Sequence, residues 1–205
     1  MIDYKKLGFK SGLEIHQQLE GKKLFCSCPT TITRDKADFT VKRYLKASAG
    51  ETGKIDLAAM HEEKKKKYFL YEGYNDFTCL VEIDEEPPHE VNSDALKTTL
   101  QVALLLNCKI VDQIQFMRKT VIDGSNVSGF QRTALVGMNG FIEVDGKKIS
   151  IPSVCLEEEA AQTIERKEEY DTYNLSRLGI PLIEIATGPD ITDAEEFFEK
   201  EYFKY

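Results

Sequence analysis

The segment LEEEA, residues 156–160, sets Glu157, Glu158 and Glu159 side by side. Adjacent carboxylates repel one another. They persist where the free N–H groups of a helix start stabilise them, or where a cation stands between them. Residues two apart in a strand share a face. In SVCLEEE, Val154 and Leu156 then face a core, while Cys155, Glu157 and Glu159 share the other side. GLEIHQQLE (12–20) alternates in the same way, with Glu14 and His16 projecting together and Leu13 and Ile15 behind them. In PLIEIA, Glu184 stands between Ile183 and Ile185 and faces away from both. If these strands are neighbours, their polar faces converge. Three carboxylates and one imidazole make an oxygen-rich set that suits Mg²⁺ or Mn²⁺ better than zinc. The alternative is that each Glu is only the exposed residue of an amphipathic strand, and alternation alone does not separate the two.

Two further groups carry possible chemistry. Cys26 and Cys28 form a C-x-C pair, and Cys79 in FTCLVEID offers a third thiolate for Zn²⁺. The pair is tighter than the usual C-x₂₋₄-C spacing, and the fourth ligand is open, with His61 and His89 as candidates. The competing reading is reduced, half-buried cysteines; Cys108, after an apolar helix, reads as core packing. VIDGSNVSGFQRT (121–133) is dense in N–H and hydroxyl donors, with Ser125, Asn126, Ser128 and Arg132, and suits a phosphate or polar ligand. It has no G-K-[ST], so it is no Walker loop, and a plain surface loop has the same composition.

The elements that must position these groups are legible in outline. Strands are predicted over 12–19, 152–158 and 181–186, with shorter ones in YFLYEGY and across IVDQIQFMRKTVI. A helix is predicted over 93–106, with Ser93 as N-cap and Leu96, Leu100, Ala103 and Leu104 at helical spacing. FIEVDGKKISI (141–151) reads as a hairpin with Asp145 and Gly146 at its tip. The stretch after LFCSCPT reads as loop, and the lysine run of HEEKKKKY as a solvated face. TDAEEFFEKEYFKY opens a helix that ends with the sequence after about a dozen residues, a length marginal by itself, so the 205 residues read as part of a larger domain. There is no internal repeat and no linker.

Composition narrows the function. The formal charge is −8, which excludes a generic polyanion binder. No apolar run nears the roughly 20 residues that span a bilayer. Five cysteines, an odd count, argue against a secreted disulfide framework and for a reducing, cytoplasmic setting.

GLEIHQQLEGKKLFCSCPT, CLVEIDEEPPHE, RKTVIDGSNVSGFQRT, PSVCLEEEA and YNLSRLGIPLIEIATGPDI together resemble the N-terminal part of the tRNA-dependent amidotransferase B/E family. IDGSNVSGFQRT and DEEPP are closer to its archaeal E-type members than to the bacterial B-type. The resemblance runs from about residue 7 to 195. It implies an α+β fold, a mixed, largely antiparallel sheet with packed helices, forming the N-terminal part of the cradle-like catalytic domain across residues 1–205. It also implies a reaction: ATP phosphorylates the glutamate side chain of Glu-tRNA(Gln), and ammonia displaces phosphate to give Gln-tRNA(Gln). The ammonia would come from an asparaginase-like amidase, the D-type partner of the E-type members. Glu14, His16, Glu157 and Glu184 would hold Mg²⁺ or Mn²⁺, with Glu157, Glu184 and Arg132 catalytic and Ser125, Asn126 and Ser128 on the nucleotide, all in one cleft. Glu158 would point away and Glu159 would support the ligands. The family's inserted, helical and tail domains have no counterpart in these residues, which leaves two other readings. One is a non-catalytic interaction module that docks on a partner amidase or a separately encoded C-terminal half. The other is an unrelated metal-binding α+β enzyme.

Overall fold

A computed structural model describes residues 6–44, 57, 67–144 and 146–192. In chain order the elements are β1 (Glu14–Gln18), β2 (Phe39–Arg43), β3 (Tyr68–Gly73), α1 (Ser93–Leu105), β4 (Lys109–Ile110), β5 (Phe116–Thr120), β6 (Phe130–Val144), β7 (Lys147–Glu158), β8 (Gln162–Arg166), β9 (Tyr170–Asn174) and β10 (Pro181–Ala186). They form two sheets. The larger runs β1-β10-β7-β6-β4, with β5 also on β6, and all its pairings are antiparallel. The smaller runs β2-β3-β9-β8, with β3 and β9 parallel.

Alternation dictates the larger sheet's buried face. Val154 and Leu156 of β7, Ile183 of β10 and Val136 of β6 turn inward with Ile151 and are essentially sealed from water. Each such side chain is worth roughly 1.5–3 kcal/mol over its exposed state. Helix α1 covers this face with Ala95, Thr99 and Ala103. The close approach needs glycine opposite it. A Cβ on Gly137 would lie 2.9 Å from the Cβ atoms of Ala103 and Cys108, and one on Gly140 would lie 2.3 Å from Cys108 Sγ. Cys108 is thus a packing residue. The helix cap falls one residue before Ser93: Asn92 Oδ1 accepts from the N–H groups of Asp94 and Ala95 at 3.0 and 3.1 Å. Asn caps as well as Ser, and here its amide also donates to Lys22 O, which ties the helix start to the chain ahead of it.

The smaller sheet buries Phe69, Tyr71 and Tyr173 against Leu175 and Leu178. It also anchors the donor-rich loop. Tyr71 Oη donates to Gly124 O at 2.7 Å and Tyr173 Oη to Asp123 O at 2.6 Å. Gly124 has φ +85°, and a Cβ there would strike the Phe69 ring at 2.3 Å.

Three expectations change. The residues after LFCSCPT are not all loop, because Phe39 and Val41 alternate inward to make β2. Gln131, Arg132 and Thr133 belong to the long strand β6 and not to the loop. One helix, not several, packs on the sheets among the described residues. The C-terminal helix, Asp145 at the hairpin tip and His61 lie outside the described residues.

Candidate active site

The three strands singled out by alternation are neighbours in the order β1-β10-β7. His16 stands opposite Glu184, which stands opposite Cys155, and Glu157 stands opposite both Leu182 and Thr133. Residues directly opposite in an antiparallel pair share a face. Glu14, His16, Glu184 and Glu157 therefore all lie on the face away from the core.

They do not all meet at one point. Glu14, His16 and Glu184 form a compact group whose ligand atoms lie within 4.8 Å of one another. His16 Nε2 is 3.0 Å from Glu14 Oε1 and 3.3 Å from Glu184 Oε2. Glu157, expected as a ligand, is only 1% exposed and already occupied. Its oxygens accept from Lys119 Nζ at 3.1 Å, Thr133 Oγ1 at 2.9 Å and Gln131 Nε2 at 3.0 Å. Glu157 thus holds the Lys119 ammonium beside the Glu–His–Glu group. Lys119 reaches from β5 across Glu157 to within 3.8 Å of Glu184. The alternation argument missed it because an exposed lysine on a strand carries no pattern of its own.

The electrostatics match this geometry. Burial and the nearby Glu157 charge push the Glu184 carboxyl above its usual range, with Glu14 adding to the effect and Lys119 and His16 opposing it. Partial burial works against charge on Lys119. The hydrogen bond and charge of Glu157, with Glu184 and Glu14, outweigh that and raise its pKa. Burial and the charges of Glu184 and Glu157 push the Cys155 thiol up to about 11.

The loop residues lie elsewhere. Arg132 follows Gln131 in β6 and so faces the opposite way. Its guanidinium grips Glu158 with two contacts of 3.1 Å, and its backbone N–H donates to the same carboxylate at 3.0 Å. Asn126, Ser128, Arg132 and Glu158 line a small cavity with Lys23 and Glu82. Asn126 is 2% exposed, and neither polar atom of its side-chain amide has a hydrogen-bond partner among the described residues. Ser125 turns back on Asp123, and Ser128 donates to Phe130 O. The expected single cleft shared with Glu14 and His16 is thus not formed, because the pleat separates Arg132 from Thr133. Glu158 does point away, as expected. Burial pushes its carboxyl up, and Arg132 only partly offsets that. Glu159 returns to the face of Glu157, where it meets Gln18 at 2.8 Å and Arg177 at 2.7 Å.

Cys26, Cys28 and Cys79 do come together, and Glu82 completes the group, all four ligand atoms lying within 4.8 Å. His89 pairs with Glu86 instead. Glu82 accepts from Cys26 Sγ at 3.0 Å and from the Cys79 N–H at 2.7 Å, and Lys23 Nζ lies 3.1 Å away. Burial disfavours its charge, but Lys23 and these donors more than compensate and hold its carboxyl below the usual range. Burial, with Glu82, pushes the Cys79 thiol up to about 12. Glu82 was hidden in the sequence because it reads as one of several acidic residues in CLVEIDEE.

A β-rich α+β domain whose main sheet displays a Glu–His–Glu cluster beside an exposed lysine paired with a buried glutamate is the class that the fold and site define. Within that class, residues 9–202 match the GatB/GatE catalytic domain, and the chain belongs to that family. It is similar to the E-type subunit of glutamyl-tRNA(Gln) amidotransferase from Methanococcus maripaludis, with 56% identity over 191 residues, 93% of this chain and 30% of that protein. The corresponding protein of Archaeoglobus fulgidus is 55% identical over 198 residues, 95% of this chain and 32% of that protein. That of Thermococcus sibiricus is 54% identical over 195 residues, covering 95% and 31% respectively. The chain therefore spans about a third of the length of these relatives. No helix among the described residues is long and apolar enough to cross a membrane.

Proposed function

We propose that this chain forms the catalytic-domain part of an enzyme that converts Glu-tRNA(Gln) to Gln-tRNA(Gln), using ATP and ammonia, in the cytoplasm. The convergence of Glu14, His16 and Glu184 beside Lys119 carries this reading. Two carboxylate oxygens and an imidazole nitrogen, with room for water ligands, fit Mg²⁺ or Mn²⁺. The raised Glu184 carboxyl marks a charge cluster that such a cation would relieve. When bound, Mg²⁺ would neutralise charge on the phosphates during transfer.

The chain's own residues do the rest. The glutamate side-chain oxygen attacks the terminal phosphorus of ATP, and ADP leaves. Lys119, held by Glu157, which Gln131 and Thr133 in turn orient, offers its ammonium to the charge that builds on the transferred oxygens. Ammonia then attacks the acyl carbon, the carbon–oxygen bond to phosphate breaks, and the nitrogen loses a proton. The carboxylate is a poor electrophile until phosphorylation supplies that leaving group. Ammonia would come from a separate asparaginase-like amidase.

Cys26, Cys28, Cys79 and Glu82 fit a structural Zn²⁺ with three thiolates and one carboxylate. Such a centre would tie the segment after β1 to the one after β3. The intact Glu–His–Glu cluster favours the catalytic reading over a docking remnant.

The test is transamidation by the full-length protein with its amidase partner. Glu184→Gln should abolish ATP-dependent formation of Gln-tRNA(Gln) while the circular dichroism spectrum stays unchanged. A wild-type rate in that variant defeats the proposal.

A further inference from the structure

Arg177 occupies the turn between β9 and β10, where Leu178 N–H donates to Leu175 O. Just beside it, β7 and β10 pair one step beyond their named ends. Glu159 N–H donates to Ile180 O at 2.8 Å, and Gly179 N–H donates to Glu159 O at 2.9 Å. Glu159 is two residues past Glu157 and so lies on the same face. Gln18 is two residues past His16 on β1 and shares its face as well. Gln18 Nε2 donates to Glu159 Oε2 at 2.8 Å, and Arg177 Nη2 lies 2.7 Å from Glu159 Oε1. The guanidinium is thereby drawn onto the face of the Glu14–His16–Glu184 cluster.

The two members of this pair differ in access. The Glu159 side chain is 9% exposed and that of Arg177 is 33% exposed. The carboxylate is also served by Gln18 and by the Ala160 N–H at 3.1 Å, so it does not depend on arginine alone. The Arg177 guanidinium has no partner besides Glu159 among the described residues, which leaves most of its N–H donors open. A sealed carboxylate behind an open guanidinium presents a fork to whatever approaches this face.

We propose that Arg177 binds a phosphate group of the nucleotide, and that Glu159 and Gln18 position it. This rests on the reading given under Proposed function. The choice of phosphate follows from spacing. Gln18 lies one pleat repeat from His16, about 6.6 Å along β1. Glu159 and then Arg177 follow from Gln18 in the direction away from His16, so a chain of linked phosphates with one group at the cation cluster extends along this face toward the guanidinium fork. A single carboxylate does not. The planar fork also matches phosphate oxygens two at a time.

The experiment measures binding of a non-hydrolysable ATP analogue, with Mn²⁺, to the full-length protein and its amidase partner by titration calorimetry. Arg177→Gln should weaken analogue binding roughly tenfold or more, and Arg177→Lys should recover part of the loss. Glu159→Gln, which keeps the arginine but frees it, should fall between wild type and Arg177→Gln. Binding of Mn²⁺ without nucleotide should be unchanged in all three. In steady state, KM for ATP should rise and KM for Glu-tRNA(Gln) should not. Unaltered analogue affinity in a folded Arg177→Gln protein overturns the proposal. So does a rise in KM for Glu-tRNA(Gln) alone, which would assign Arg177 to the other substrate. A wild-type protein that binds no analogue, and whose Glu184→Gln variant is fully active, overturns the underlying reading as well.

Discussion

His16 stands opposite Glu184 across the β1–β10 pair, and its Nε2 lies 3.3 Å from that carboxylate. Glu184 also feels the Glu157 and Glu14 charges, and its carboxyl is held above the ordinary range. The folded chain thus holds this proton more tightly than the unfolded chain does. The favourable contribution is complete below the ordinary glutamate pKa and is lost as pH rises through the raised value. Near neutral pH the ionised group is a cost, and a divalent cation removes it.

Mn²⁺ should therefore raise the melting temperature more near neutral pH than in the mildly acidic range, where protons compete for Glu184. Glu184→Gln should abolish the ion-dependent increment and lower Mn²⁺ affinity at least about tenfold. Thermal melts with and without the ion, at two pH values, measure both. An increment that survives in the variant places the cation elsewhere.

Lys119 and Glu157 make a second, separable prediction. Lys119→Met leaves a carboxylate of 1% exposure with only Gln131 and Thr133 as donors among the described residues. The loss should be about 1–3 kcal/mol of stability, from an under-compensated buried charge. Adding Glu157→Gln should restore most of it, because the neutral amide removes the charge that lacks a partner. Denaturant unfolding of the two single variants and the double variant reads the coupling directly. Strict additivity would show that the contact is not energetically linked.

The cysteine cluster predicts one zinc per chain in protein purified without chelator. Cys28→Ser or Glu82→Ala should lower the zinc content and the melting temperature together. Chelator should reproduce the effect in the wild type and do nothing further to the variants. Each zinc-bound thiol must give up its proton, and burial holds Cys79 at about 12, so zinc uptake should release protons and weaken as pH falls. Zinc-free protein with unchanged stability would leave the four residues as a hydrogen-bonded cluster around the Lys23–Glu82 pair.

Gly140→Ala tests the helix packing apart from any chemistry. The added methyl meets Cys108 Sγ and Leu106 O at 2.3 and 2.5 Å, so α1 must shift. Destabilisation of about 1–3 kcal/mol is expected, with a smaller loss in the Gly140→Ala, Cys108→Ala double variant. Chemical denaturation measures both.

Alternation in GLEIH, SVCLEE and PLIEIA determined which side chains of three strands turn away from the core, because the pleat has a period of two residues whatever the strand pairs with. The apolar spacing of residues 93–106 determined a helix on the same grounds. Periodicity is a local property, and it says nothing about which strands lie side by side. Only the tertiary structure set His16 opposite Glu184, withdrew Glu157 behind Lys119, closed the cysteine group with Glu82, and turned Arg132 to the cavity on the other side of the sheet. Each of these depends on contacts between residues far apart in the chain. Their partners are chosen by strand order and register, which neighbouring residues do not encode.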